Sequence, residues 1–242
     1  MPIPSDDGPE LHPTRSHRAL RAVRSHVRPG SFPLLLAATA LNYVLNGLAL
    51  DAGAAATPAQ VLHAGVVGAG IYVLSQSRVT LWLGLLMIGL LTLVESHLWT
   101  LQPPLSRLVQ DSLASGFLLW VLVVVLRHVF RPSTTERNAV IGALCGFVLI
   151  VAIFMRVHGL LEALSPGSYH ADGPPLSERS DAALVATFQY FSTITLTTVG
   201  FGDIVPVAPA ARLATGLEAI VGQLYLAVVV ATLVSRVAAR RE

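Results

Sequence analysis

The chain alternates between long apolar runs and short breaks rich in proline, glycine and arginine. A helix needs about 20 mostly apolar residues to cross a bilayer, and the pattern predicts six such crossings. The first is Phe32–Leu50, entered through Pro33 and followed by the turn-like stretch Asp51–Pro58. Ala59–Ser75 is a shorter second span whose Gly65, Gly68 and Gly70 allow close helix packing. Arg78 separates it from a third, Val79–Leu98, which ends at Gln102-Pro103-Pro104. Leu108–Phe130 is the fourth. Pro132 breaks the chain, and Ser133-Thr134-Thr135-Glu136 carries the capping-box pattern that opens a new helix. Asn138–Val157 and Ala211–Val237 are the fifth and sixth.

Between the last two spans the pattern changes. Residues 158–180 are polar and turn-rich, and Asp181–Thr197 is moderately apolar but too short to cross. It runs directly into TTVGFGD, Thr197–Asp203. A segment that enters the bilayer and returns is tolerated only where protein or water satisfies its backbone. The predicted fold is therefore an all-α membrane protein with six transmembrane helices and a re-entrant helix and loop between the fifth and sixth. Three regions follow: an N-terminal segment 1–30, a four-span membrane domain 31–131, and a second membrane domain 132–242.

Composition agrees with this solvent. Of 242 residues, 53% are hydrophobic and 12% charged, against about 25% charged in ordinary soluble domains. Mean hydropathy is +0.65. All 16 basic residues are arginine, and they are unevenly placed. With six crossings, Arg15, Arg18, Arg21, Arg24, Arg28, Arg78, Arg127, Arg131, Arg137, Arg236, Arg240 and Arg241 share a side with both termini. Arg107, Arg156, Arg179 and Arg212 fall opposite. The positive-inside rule then puts both termini in the cytoplasm of a multi-pass cell-membrane protein. The polar, Pro-rich start shows no small-residue cleavage site and does not read as a signal peptide.

Arg15, Arg18, Arg21 and Arg24 recur every three residues, as in a voltage-sensing helix. They precede the first span, however, and the surrounding Leu20, Val23 and Val27 are too few to insert. The stretch reads as a basic amphipathic helix on anionic lipid headgroups. The fourth span has no arginine before Arg127, so it offers a membrane field almost nothing to move.

Enzyme chemistry finds little support. Cys145 is the sole cysteine and lies in an apolar run; the eight histidines show no paired spacing. The candidate chemistry is instead in the backbone of Thr197–Asp203. Four copies of Thr198–Gly202 around an axis, with successive carbonyls pointing inward, would build stacked oxygen rings that replace a cation's hydration. Aligning successive carbonyls requires alternating backbone hands, which Gly200 and Gly202 tolerate at little steric cost. Thr198 adds a hydroxyl ring, and no carboxylate faces the ion.

Thr198-Val199-Gly200-Phe201-Gly202-Asp203 resembles the filter signature of the tetrameric potassium channels, T-V-G-Y/F-G followed by Asp. The likeness covers roughly residues 181–237, as pore helix, filter and inner helix; the first four spans carry no match. It implies a homotetramer passing K+ without covalent chemistry or cofactor. Carbonyls of Thr198, Val199, Gly200 and Phe201, with the Thr198 hydroxyl, would hold the ion. Thr197 and Asp203 flank the filter, and the pore helix would aim its negative end at the cavity. Gly222 falls at the family's inner-helix hinge, and Arg212 matches a basic residue at the helix start. Gln223, Leu226, Val230 and Val234 follow at helical spacing as candidates for the cavity and gate lining.

Departures from the family also shape expectations. Some relatives carry tryptophans where Tyr190 and Phe191 stand, one bonding the filter tyrosine hydroxyl. With Phe201 in the filter, that bond gives way to packing between Phe191 and Phe201, and Tyr190 is expected to donate to Asp203. Ile194 replaces a buried glutamate. Glu218, one turn before Gly222, is a candidate brace to Thr193 or Thr195, or a residue at the cavity's edge. Arg156 and His158 are expected to pair with Glu162. Few residues follow the sixth span, so no ligand-binding domain is expected there. The partners implied are three identical subunits, K+ and membrane lipids, with no nucleic acid. The alternatives are a less selective cation pore, or a scaffold or secondary transporter; a transporter would show broken helices in two repeats.

Overall fold

The computed structural model describes residues 31–48, 82, 86, 89, 103–131, 134–173 and 175–239. The basic segment 1–30 lies outside the described residues. So do the second and third predicted spans, except that positions 82, 86 and 89 are helical.

Helix α1 is Ser31–Leu48, α2 is Pro103–Val129 and α3 is Glu136–Leu164. A short strand β1, Tyr169–Ala171, and one 3-10 turn, Leu176–Glu178, lead to α4, Asp181–Leu196. Strand β2, Ile204–Pro206, precedes the long α5, Pro209–Ala239. Among the described residues three helical stretches are long and apolar enough to cross a membrane: Leu108–Val129, Glu136–Leu164 and Pro209–Ser235. The shorter Phe32–Gly47 is also apolar. At 16 residues, α4 is only about 24 Å long at the helical rise, short of the hydrocarbon thickness.

Two details differ from the sequence pattern. The region after the fifth span is not all turn: α3 continues to Leu164, and β1 pairs antiparallel with β2, Tyr169 opposite Pro206 and Ala171 opposite Ile204. Ser133 of the expected capping box lies outside the described residues, and the start of α3 falls later than that pattern implies. The N-cap is Thr135 without a side-chain bond, while Thr134 Oγ1 donates to the His128 carbonyl, 2.7 Å away, at the end of α2.

Packing follows membrane rules, in which small residues admit close neighbours because lipid gives apolar side chains no drive to associate. On α3, Gly142 lies so close to α2 that an added Cβ would meet Val129 at 2.6 Å. One turn later Gly146 makes room for Tyr225 of α5, whose hydroxyl donates to the Ala143 carbonyl. Phe32 and Leu35 of α1, Phe117, Val121 and Val125 of α2, and Leu149 and Ile150 of α3 close the core. Leu196, the last residue of α4, enters the same core. A second cluster surrounds α4 itself, built from Met155, Tyr169, Leu176, Phe188, Phe191, Ile204 and Ala211. The short helix is therefore held on several sides, by α1, α3 and α5.

Candidate functional site

Ser180 starts α4 by accepting a hydrogen bond from the Ala183 amide (3.3 Å), with Asp181 in the first turn where the helix dipole favours an acid. Arg179 pins this end, donating to the Thr187 hydroxyl at 3.1 Å and the Asp172 carbonyl at 2.9 Å.

The other end of α4 makes the loop. Val199 N–H bonds the Ile194 carbonyl (2.8 Å) and Thr198 N–H bonds the Thr195 carbonyl (2.9 Å). This is the 6→1 and 5→2 pair of a Schellman motif, which needs a left-handed residue between helix and exit. Thr198 is that residue, at φ 59°. A β-branched residue there is uncommon and costs about 1–2 kcal/mol. Gly200 and Gly202 follow at φ 52° and 82°. Positive φ thus falls on every second residue, 198, 200 and 202, and the intervening Val199 and Phe201 do not share it. The sequence pointed to the glycines; the left-handed threonine was missed because its cause is the helix cap. Nothing lies within 4 Å of a Cβ added to either glycine, so backbone hand, not space, demands glycine here.

After the loop, Asp203 is tied down by its carbonyl, which accepts from Asp172 N–H (3.3 Å) just beyond β1. The β1–β2 ladder continues the anchorage, and Arg212 Nε bonds the Pro206 carbonyl at 3.3 Å. Residues 197–202 are all exposed within the protomer. A fixed helix end, an exposed strand of alternating hand and a fixed exit can present a row of carbonyls to a shared axis.

The supporting residues divide. Tyr190 does face Asp203: desolvation first, then the hydrogen bond and charge of Asp203, hold its hydroxyl above the ordinary tyrosine range. Asp203 Oδ1 has no partner among the described residues. Thr197 satisfies itself locally, its hydroxyl on the Thr193 carbonyl at 2.7 Å. Within the protomer, Phe191 does not pack on Phe201. It is buried edge-on against His158 (5.0 Å between centroids) and Tyr169 (5.5 Å), whereas Phe201 is 72% exposed. The reason is that α4 turns Phe188, Phe191 and Ser192 inward, while the loop beyond turns away from the protomer.

Glu218 is neither at the cavity's edge nor on Thr193 or Thr195. The buried positions of α5 are Ala211, Glu218, Gly222 and Val229, a stripe facing the protein. There Glu218 Oε2 meets His158 Nε2 at 2.8 Å, both side chains wholly buried. His158 Nδ1 meets the Tyr169 hydroxyl at 2.5 Å. Arg156 instead pairs with Asp111 of α2 at 3.2 Å. Glu162 accepts the N–H groups of Gly167 (2.8 Å) and Tyr169 (3.1 Å). No sequence signal tells which of these histidines, arginines and acids meet, since the partners are 45 and 60 residues apart.

Gly222 lies where a Cβ would collide with the Leu196 carbonyl, and α5 is helical straight through it. Gln223, Leu226, Val230 and Val234 are exposed, Val234 at 62%. Only 17% of the most apolar window of α5 is buried, against 44% for α3, so among the described residues most of this apolar helix is left uncovered.

These features define a helical membrane protein with a short helix and an exposed loop ahead of its last long apolar helix. Residues 143–239 match the family described as "Ion channel", not a family of enzymes. Over 101 residues, 41% of this chain and 21% of the relative, it is 33% identical to the voltage-gated potassium channel Kch of Escherichia coli (strain K12). Over 112 residues, 46% of this chain and 18% of the relative, it is 33% identical to the potassium voltage-gated channel protein shk-1 of Caenorhabditis elegans. The chain thus spans about a fifth of the length of these curated relatives. No solved structure matches.

Proposed function

We propose that the chain is a subunit of a homotetrameric, potassium-selective channel of the cell membrane, with its termini in the cytoplasm. The observation that carries this reading is the alternation of backbone hand through Thr198, Gly200 and Gly202. Carbonyls of Thr198, Val199, Gly200 and Phe201 replace the water of a dehydrated K+, and Gly202 lets the strand leave toward Asp203. The open apolar sides of α5 serve two needs: contact with neighbouring subunits and the lining of a cavity by Gln223, Leu226, Val230 and Val234. Phe201, uncovered in its own protomer, finds its packing against another subunit. The similarity to two potassium channels supports this assignment. Gating does not use a conventional voltage sensor.

Thallium flux into liposomes tests the reading. Wild-type protein is expected to conduct, with potassium blocking thallium and sodium failing to block it. Gly200→Asp, which adds a side chain and charge at a left-handed position, is expected to abolish flux. Equal flux from the two proteins overturns the pore; equal competition by sodium points to a less selective cation channel.

A further inference from the structure

Glu218, His158, Tyr169 and Ser192 lie on four different elements, α5, α3, β1 and α4, yet converge behind the loop. Glu218 Oε2 is 2.8 Å from His158 Nε2, and His158 Nδ1 is 2.5 Å from the Tyr169 hydroxyl. Ser192 adjoins the Glu218 carboxylate. Glu218, His158 and Ser192 are each 0% exposed. The rings of Phe188 and Phe191 pack against the imidazole and the phenol. Burying such a group carries a desolvation cost.

One arrangement uses both ring nitrogens: a neutral imidazole donates Nε2–H to Glu218 and accepts at Nδ1 from the Tyr169 hydroxyl. Glu218 Oε1 and Ser192 Oγ have no hydrogen-bond partner among the described residues. A proton added at Nδ1 removes the acceptor on which Tyr169 depends. Among the described residues its hydroxyl has no other hydrogen-bond partner, and it is packed against Phe188 and Phe191. The other titratable group facing this network is Glu162, which holds the Gly167 and Tyr169 amides. From α4 the neighbours are Phe188, Phe191 and Ser192, which do not titrate in the working range.

Tyr169 is also where the network reaches the loop. It is the first residue of β1, which pairs with β2; β2 begins at Ile204, two residues past Gly202. Tyr169 and Glu162 further line a cavity of about 390 Å³ with His170, Ala171 and Leu176.

We propose that His158 and Glu218 are positioning residues for the filter: their hydrogen-bonded pair clamps α3 to α5, and through Tyr169 and the β1–β2 ladder it holds the filter's exit, so that conduction depends on the proton state of this network. This rests on the channel reading above. Protons supplied from the side of β1 free Tyr169 and loosen the exit.

The test is thallium flux in liposomes at pH values from about 8 to about 5 on the β1 side, the range in which imidazoles titrate. Wild-type flux is expected to fall about tenfold on acidification, the size of one lost hydrogen bond. Tyr169→Phe, which has no hydroxyl to strand, is expected to change by less than about twofold over the same range. Glu218→Gln, similar in size, removes the counter-charge and is expected to move the fall to lower pH. Superimposable profiles for wild type and both variants, all conducting, overturn the proposal and leave the channel reading intact. No flux from wild type overturns the channel reading itself. Nitrogen-15 spectra of histidine in the wild-type protein supply a readout independent of conduction. A His158 signal with Nε2 protonated and Nδ1 accepting at neutral pH is expected, altered in Tyr169→Phe. A His158 signal indifferent to both substitutions overturns the network.

Discussion

The bare backbone of Gly222 on α5 receives the carbonyl of Leu196, the last residue of α4, where any Cβ would collide with it. Gly222 therefore has a reason to be glycine besides that of a hinge. The two reasons predict opposite stabilities. A methyl that overpacks the contact costs about 1–3 kcal/mol, whereas a glycine needed only for bending gains up to about 1 kcal/mol from alanine's helix propensity. Gly222→Ala is expected to lower the melting temperature in detergent and reduce flux. A higher melting temperature would identify the hinge.

Tyr43 reaches α4 from the first helix. Its hydroxyl is 2.8 Å from Thr193 Oγ1, and its carbonyl accepts from Gln189 Nε2 at 2.8 Å. Thr193 already donates its single hydrogen to the Gln189 carbonyl (2.7 Å), so Tyr43 is the donor. Tyr43→Phe is expected to cost about 1 kcal/mol without leaving Thr193 unpaired. Chemical denaturation measures it, and a null result would detach α1 from the support of α4.

Tyr190 and Asp203 join the body of α4 to the far end of the loop. Tyr190→Phe is expected to reduce potassium-competed flux by less than about tenfold, and Asp203→Asn by a similar factor. Because they act on one contact, the double variant should be no worse than the poorer single one. Additive losses would show that the two residues act separately.

Alkali should weaken the fold through Tyr169. Its hydroxyl is held above the ordinary tyrosine value by burial first, then by the charges of Glu218 and Glu162. A raised value in the folded state means the stabilisation is full below the unfolded value, about 10, and is lost as pH climbs through the folded one. Melting temperature should therefore decline above about pH 10, with a shallower decline in Tyr169→Phe. Equal slopes for the two proteins would contradict the assignment.

Periodicity and composition carried much of the architecture. The runs that became α1, α2, α3 and α5 are apolar along their length, and apolar length is the feature a bilayer selects. The bounds of α4 came out within a residue, since Ser180 and the Thr197 boundary mark its ends locally. The glycines of the loop were equally legible, because positive φ is a property of single residues. Contacts between helices were not. Phe191 was expected on Phe201 and lies instead on His158 and Tyr169; Glu218 was expected near Thr193 or Thr195 and meets His158.

By itself the sequence determined the solvent, the apolar helices and the stretch proposed to carry the chemistry in its backbone. These depend on residue type and short-range order. Only the tertiary structure decided that Thr198 is left-handed, that Gly222 seats Leu196, and that a buried histidine and glutamate from distant helices share a hydrogen bond. Each of those depends on which helix faces confront one another, and a run apolar on all sides does not specify its face.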